Sequence, residues 1–167
     1  MAQDSNRLTL QPLGKDQYRQ VAEWEWGPQE DVDWERYAAE MNAPQWAHFG
    51  LYDGAELIGC VSLEKIDRQM VAGHVVTARR KIHPLLMAQV LLKTAGDLFA
   101  LGYTAMVARI PKDKRAAARL ALRCGMREWG HTPETRYFIL TKSRWQLYGP
   151  VEARTCKSSV STATAAN

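Results

Sequence analysis

Three consecutive cations, Arg79, Arg80 and Lys81, separate an apolar run from a proline in the middle of the chain. The apolar run at 71–78 is typical of a buried strand, and Pro84 is favoured in the first turn of a helix. A basic turn between a strand and a helix can bind phosphate, because its side-chain cations and the positive helix end attract the same anion. The alternative is a solvated basic turn at the rim of a sheet.

A second group of chemically suggestive residues combines carboxylates with aromatic rings. Residues 23–40 contain seven of the chain's eighteen acids and one base, and the aromatic residues Trp24, Trp26, Trp34 and Tyr37 alternate with them. Such a surface suits a cationic amine through charge and cation–π attraction. The predicted contacts to this amine are Glu23, Trp24, Glu25 and Trp26. The alternative is that the tryptophans pack and the acids solvate two surface helices.

Two side chains on neighbouring predicted strands are candidates for proton transfer. His74 lies in the apolar run, and Glu64 lies in the strand before it. A histidine titrates near neutral pH and can act as a general base, and a carboxylate can take the same role. We therefore predict that His74 or Glu64 is catalytic, with a purely structural histidine as the alternative.

These groups need a scaffold, and the hydrophobic periodicity predicts one. Apolar residues spaced by three, four and seven predict a helix over 84–101 that ends at Gly102. A strand at 103–110 follows, and after it a helix that Asp113 is expected to cap and that ends at Gly125. The other predicted strands are at 8–13, 46–52, 56–66, 126–129 and 135–141. Two further helices are predicted at 16–24, with Asp16 as the cap, and at 31–41, and a type I′ turn is predicted at Asp53-Gly54.

This order of elements resembles the GNAT acyltransferase fold. The resemblance rests on residues 75–84, with the sequence VVTARRKIHP, and on residues 117–126, with the sequence AARLALRCGM. It implies an α/β (α+β) fold with a mixed, mostly antiparallel sheet of six to seven strands and about four flanking helices. It also implies that the strands at 71–78 and 105–110 run parallel around the helix at 84–101.

The resemblance further implies acetyl-CoA as the cofactor. By similarity to the family, the residues expected to bind it are Val76 and Ala78, the basic triplet Arg79, Arg80 and Lys81 at the pyrophosphate, and Lys114 and Arg115 at the adenosine end. Ile82 and Pro84 occupy the places where the family usually has small residues, and Pro84 removes one N–H donor. Ala121 stands where many members have the tyrosine that protonates the leaving thiolate. Tyr103 and Tyr137 are the candidates to replace it, and no spacing favours either one.

Two classes of function follow from these residues. The first is an acyl-CoA-dependent N-acyltransferase that acetylates a cationic amine, on a small molecule or a protein. The second is a catalytically lapsed scaffold, such as a virion, assembly or host-interaction protein, because the chain also resembles divergent GNAT-like proteins of tailed phages. A homo-oligomer is compatible with both. Nucleic-acid binding is disfavoured, because the aromatic residues lie among acids and not among the basic stretches.

Composition limits the remaining possibilities. The chain has 167 residues, 46% of them hydrophobic, and a formal charge of +4, which predicts one domain over 1–149. Residues 150–167 are rich in Ser, Thr and Ala and are predicted to be a disordered tail. The three cysteines fit neither a disulfide framework nor a metal site, and no secretory signal or membrane span is visible, so a cytoplasmic location is expected.

Overall fold

The computed structural model of the protein describes residues 8–28, 31–78 and 82–148. The predicted phosphate-binding triplet Arg79, Arg80 and Lys81 and the predicted tail at 150–167 lie outside the described residues.

Seven strands form one sheet in the described part of the chain. Their spatial order is β1-β2-β3-β4-β5-β7-β6, and only the β4–β5 pair is parallel. This arrangement confirms the predicted mixed, mostly antiparallel sheet with two parallel strands around one long helix. The strands are β1 (Thr9–Pro12), β2 (Trp46–Asp53), β3 (Glu56–Lys65), β4 (Met70–Thr77), β5 (Ala105–Pro111), β6 (Arg127–His131) and β7 (Thr135–Thr141).

Five α-helices accompany the sheet within the described residues: α1 (Tyr18–Trp26), α2 (Trp34–Met41), α3 (Pro84–Ala100), α4 (Arg115–Arg123) and α5 (Lys142–Tyr148). Helix α3 connects the two parallel strands. Pro84 lies in its first turn, and Gly102 follows its end at φ 102°. Both positions agree with the prediction, since proline costs no hydrogen bond at a helix start and glycine tolerates a positive φ.

The two faces of the sheet differ in what covers them. The face we call the core face packs against α3, α4 and α5 through a large buried cluster that includes Val61, Met106, Phe99 and Phe138. On the opposite face, which we call the open face, a smaller cluster joins Cys60 and other sheet residues to α1 and α2. Because α1 and α2 are short, charged side chains of the central strands can reach solvent on the open face.

Three local predictions at turns and caps were wrong. Asp53 pairs with Glu56, so the central residues of the β2–β3 turn are Gly54 and Ala55. Of these only Gly54 has a positive φ, which is the pattern of a type II′ turn and not of type I′. Neither Asp16 nor Asp113 caps a helix, because the N-cap residues of α1 and α4 are Gln17 and Lys114.

None of the helices in the described part of the chain has the length and hydrophobicity that a membrane span requires.

Helix α5 was not predicted, because it is held by one tryptophan and not by a long hydrophobic period. The Trp145 side chain is buried, its indole N–H donates to the Leu92 carbonyl at 3.0 Å, and its ring meets Phe99 edge to face. Gly96 makes room for this ring: a Cβ there would lie 2.7 Å from Trp145 Cζ2.

Replacing Gly96 by alanine is expected to lower the free energy of unfolding by about 1–3 kcal/mol, because overpacking outweighs the better helix propensity of alanine. Urea denaturation measures this change. The exposed Gln89 on the same helix offers the control Gln89→Ala, which should change stability by less than about 0.5 kcal/mol. An unchanged or increased stability of Gly96→Ala would contradict the tight Gly96–Trp145 contact.

Candidate active site

The parallel strands β4 and β5 separate halfway along their length. Their pairing runs from Met70 opposite Ala105 to Gly73 opposite Ala108 and ends there, although β4 continues to Thr77 and β5 to Pro111. The strands are therefore not paired between residues 74–77 and 109–111, and we call this unpaired region the β4–β5 gap. Its apex is at Gly73 and Ala108.

Backbone groups of β4 point into this gap. The Ile66 N–H donates to the Met70 carbonyl at 3.0 Å, and the Ala78 N–H donates to the Ile58 carbonyl at 2.9 Å. In an antiparallel pair the groups that bond to the neighbouring strand alternate along the chain. Even-numbered β4 residues therefore point their backbone groups at β3. Val75 and Thr77 point theirs into the gap.

This alternation bears on the predicted cofactor contacts Val76 and Ala78. The Ala78 N–H is already bonded to β3, and the Val76 side chain is buried on the open face beside Cys60. The two residues next to them, Val75 and Thr77, have the backbone direction that a ligand in the gap requires. A sequence motif cannot show which residues of a strand point toward its neighbour, so the contacts at Val76 and Ala78 stay predictions.

The core-face side of the gap is apolar. The side chains of Val75, Leu91 and Leu120 are partly buried. They pack against the large core-face cluster and against a second cluster, which consists of Leu51, Ile58, Met87 and Val90. Ile82 is also partly buried there, against the cluster around Leu51 and Met87. Apolar side chains of β4, α3 and α4 thus pack together on the core face, while backbone groups of Val75 and Thr77 point into the gap.

On the open face, the apex of the gap meets a shallow cavity of about 130 Å³. We call it the sheet-face cavity. Its position follows from the strand register: Glu64 lies between Trp46 and Ala72 on neighbouring strands, so the three side chains share one face. The residues that line the cavity are Trp46, Glu64, Ala72, Gly73, His74 and Arg109.

His74 is the candidate base with the better-defined partner. Its Nε2 lies 2.9 Å from Oε1 of Glu25, a residue of α1. If Nε2 carries the proton and donates it to the carboxylate, Nδ1 is left unprotonated and can accept a proton. The contact also joins two separately predicted groups, since Glu25 belongs to the acidic aromatic segment and His74 to the strand. Half of the His74 side chain is exposed, so a substrate can reach it.

Glu64, the other predicted base, lies in the same cavity and faces a cation. Its Oε2 is 3.6 Å from Nη2 of Arg109 on β5, which is ion-pair distance but too long for a hydrogen bond. The ring of Trp46 closes this end of the cavity and stacks on His48 at 5.7 Å.

A buried polar network holds α2 against the open face beside this cavity. His48 Nε2 lies 2.8 Å from the Met41 carbonyl and must donate to it. In the neutral ring Nδ1, at 2.8 Å from Ser62 Oγ, accepts the hydroxyl hydrogen. Burial lowers the pKa of His48, and the bond to Met41 partly opposes this. His48 is therefore a neutral residue that connects the end of α2 to the sheet.

The other predicted amine contacts lie away from the cavity. Glu23 forms an ion pair with Arg19 at 2.9 Å, and Trp24 packs against the open-face cluster. Trp26 is 55% exposed and meets the Tyr37 ring edge to face. Residues two apart on a helix point to different sides, so α1 directs Glu25 toward His74 and turns Glu23 away.

Lys114 and Arg115, the predicted adenosine contacts, are exposed at the start of α4. Ala121, which replaces the tyrosine common in the GNAT family, is 5% exposed and packs in the core cluster. Of the two other candidate tyrosines, Tyr103 packs against the same cluster. Tyr137 lies opposite Arg109 in the β5–β7 pair, so its side chain shares the open face with the cavity residues.

Sequence reasoning did not identify Arg109 and Trp46 as site residues. Arg109 was part of a predicted strand, and alternation along 105–110 could have separated it from its apolar neighbours Ala108 and Ile110. Trp46 stands at the start of a strand, where nothing in the sequence indicates that it faces Glu64.

Structural comparison shows which solved proteins share this fold. A spermidine N-acetyltransferase SpeG chimera, from Vibrio cholerae and hSSAT, superposes with a TM-score of 0.72 at 16% identity, over 84% of this chain and 98% of that one. A dodecameric structure of the Vibrio cholerae spermidine N-acetyltransferase gives 0.68 at 17% identity, over 83% and 96%. The Campylobacter jejuni N-acetyltransferase PseH gives 0.65 at 13% identity, over 82% and 99%.

The sequence matches no protein-family model and no curated protein. None of the three structures above is a phage protein, so the resemblance to phage proteins stays a prediction. The TM-scores and the chain coverage with these acetyltransferases identify the fold of this chain as the GNAT fold.

Proposed function

We propose that this protein is an acetyl-CoA-dependent N-acetyltransferase that acts on a cationic amine. The observation that carries the proposal is the junction of two features at one point of the sheet. The β4–β5 gap ends at Gly73, and Gly73 also lines the cavity that contains His74 and Glu64. A donor in the gap and an amine in the cavity would therefore meet from opposite faces of the sheet.

The chain's residues fit the shape and chemistry of acetyl-CoA. The backbone groups of Val75 and Thr77 suit the amides of an extended arm, and the apolar side chains of Val75, Leu91 and Leu120 suit its hydrocarbon parts. Lys114 and Arg115 at the start of α4 suit its phosphates. When bound, acetyl-CoA supplies the acetyl group as an activated thioester.

His74 and the two carboxylates would prepare the amine. An amine near neutral pH is mostly an ammonium ion, which Glu25 and Glu64 attract to the cavity. Nδ1 of His74 can then take one proton from it and leave a nitrogen lone pair, while Glu25 holds the resulting imidazolium. Because Ala121 is buried and carries no hydroxyl, turnover should be slow unless water or another hydroxyl, such as that of Tyr137, protonates the leaving sulfur.

Free-thiol release with acetyl-CoA and a panel of polyamines, lysine peptides and protein N-termini tests this proposal. Acceptor-dependent thiol release, with the acetylated acceptor identified by mass spectrometry, is the expected result. Release at background for every acceptor, from a protein that is folded and binds coenzyme A, would contradict it. The scaffold alternative predicts such a result, but none of the acetyltransferase structures compared above supports it.

Coenzyme A is expected to stabilise the fold. At a concentration about 100 times Kd the gain is about 2.7 kcal/mol, which raises Tm by roughly 5–10 °C in a domain of this size. Differential scanning calorimetry at low salt measures the shift, and no shift at millimolar coenzyme would count against the proposed cofactor.

The double variant Lys114→Ala plus Arg115→Ala is expected to weaken coenzyme A binding by roughly two- to thirtyfold, because each exposed ionic contact contributes about 0.2–1 kcal/mol. Titration calorimetry gives the two affinities. Lys15 and Arg127 are exposed cations on other elements, so Lys15→Ala plus Arg127→Ala is a control with the same change in net charge. If both double variants weaken coenzyme A binding equally, the net charge of the protein determines the affinity, and Lys114 and Arg115 make no specific contact.

A further inference from the structure

The sheet-face cavity contains a cation as well as acids. Glu64 and Arg109 both line it, and Glu25 approaches it through His74. The charge of Arg109 offsets that of Glu64, so only part of the acidic charge at the cavity remains to attract a cation. A site that binds only polycations is expected to contain acids and no arginine, because an arginine repels a cationic ligand.

Arg109 has hydrogen-bonding capacity left for a ligand. A guanidinium offers five N–H donors, and the nearest carboxylate oxygen, on Glu64, is 3.6 Å away and therefore not hydrogen-bonded. Within the described residues no other acceptor is in hydrogen-bond or ion-pair contact with this side chain. More than half of the side chain is exposed, so a ligand can reach it.

The cavity is also small. Its volume of about 130 Å³ is less than the several hundred cubic ångströms of a typical drug-sized site. It can accommodate the reactive end of an acceptor: an amine, a few atoms and one further polar group. That polar group would lie within reach of both His74 and Arg109.

We propose that the acceptor carries an oxyanion, a carboxylate or a phosphate, close to its reactive amine, and that Arg109 binds this oxyanion. The inference rests on the proposed N-acetyltransferase function and narrows its substrate class to small amines of mixed charge, such as amino acids. The planar fork of Arg109 matches both kinds of oxyanion. Glu64 and the His74–Glu25 pair face the ammonium. A polyamine such as spermidine has no oxyanion and would place a second cation near Arg109.

Two matched pairs of acceptors test this inference by thiol release at fixed pH and low salt. Each pair differs in one anionic group: α-amino acids against their amides, and phosphoethanolamine against ethanolamine. In at least one pair the anionic member should have a kcat/KM roughly 10- to 100-fold higher, the value expected for a charge-assisted hydrogen bond. The amine of an amino-acid amide is less basic, so a larger fraction of it is unprotonated at the fixed pH. This difference favours the amide, so a higher kcat/KM of the amino acid would not be caused by the basicity of its amine.

Arg109→Gln should reduce this preference to about one, mainly by raising KM for the anionic member, because the bond acts in both ground and transition states. The neutral members should be little affected. Arg127→Gln removes an exposed arginine from β6 and should leave the preference unchanged. If Arg109 served only to hold Glu64, Arg109→Gln would lower kcat equally for both members of a pair.

Equal kcat/KM for both members of both pairs, with spermidine turned over, would overturn this inference and leave the proposed function intact. A preference that survives in Arg109→Gln would also overturn it. Background release with every acceptor would contradict the proposed function and this inference together.

Discussion

Replacing His74 by glutamine is expected to lower kcat for acetyl transfer by roughly 10²–10⁴-fold, the usual contribution of a general base. Glutamine keeps a polar side chain in the cavity but cannot take a proton from the ammonium. Glu25→Gln, which leaves His74 without its carboxylate partner, should give a smaller loss, because the imidazole itself remains. Initial rates of thiol release measure both effects, and coenzyme A affinity should stay the same.

His131 provides the matched control for this prediction. It lies on β6, away from the cavity, and also faces a glutamate, since its Nδ1 is 4.0 Å from Oε1 of Glu128. His131→Gln should retain full activity. If His74→Gln lowers the rate no more than His131→Gln does, His74 is not the base, and Glu64→Gln becomes the variant to compare.

Trp145→Ala is expected to give the largest loss of stability, about 3–5 kcal/mol in the free energy of unfolding, because it leaves a cavity in the core. The substitution also leaves the Leu92 carbonyl without the indole N–H that binds it. A loss of this size is a large part of the stability of an ordinary domain. Urea denaturation followed by circular dichroism measures it.

Trp129→Ala is the control for that loss. Trp129 lies on β6 and is 58% exposed, so its removal should change stability by less than about 0.5 kcal/mol. A loss below 1 kcal/mol for Trp145→Ala, with two-state unfolding preserved, would show that α5 contributes little to the fold.

Most of the sheet could be predicted because its signals are local. The alternation of apolar residues located the strands, and Pro84 and Gly102 marked the ends of α3. The parallel arrangement of β4 and β5 was implied by the resemblance to the GNAT fold. Helix α5 could not be predicted in this way, because its formation depends on the contact of Trp145 with α3, which is distant in sequence.

The candidate site was predictable by residue type more than by position. Acids near Glu25 and a histidine at position 74 suggested an amine site, but only the fold shows that Glu25 turns toward His74 while Glu23 turns toward Arg19. The approach of Arg109 to Glu64 depends on how β5 lies beside β4, which no sequence pattern encodes. Roles for the basic triplet at 79–81 stay predictions, because those residues lie outside the described part of the chain.

A crystal structure of the protein with coenzyme A tests the central claim most directly. We expect the extended arm of the coenzyme in the β4–β5 gap, hydrogen-bonded to the backbone of Val75 and Thr77, with its sulfur near Gly73 and facing the His74 side of the sheet. A coenzyme bound elsewhere on the surface, or a gap closed by Val75, Leu91 and Leu120 at saturating coenzyme, would contradict the account.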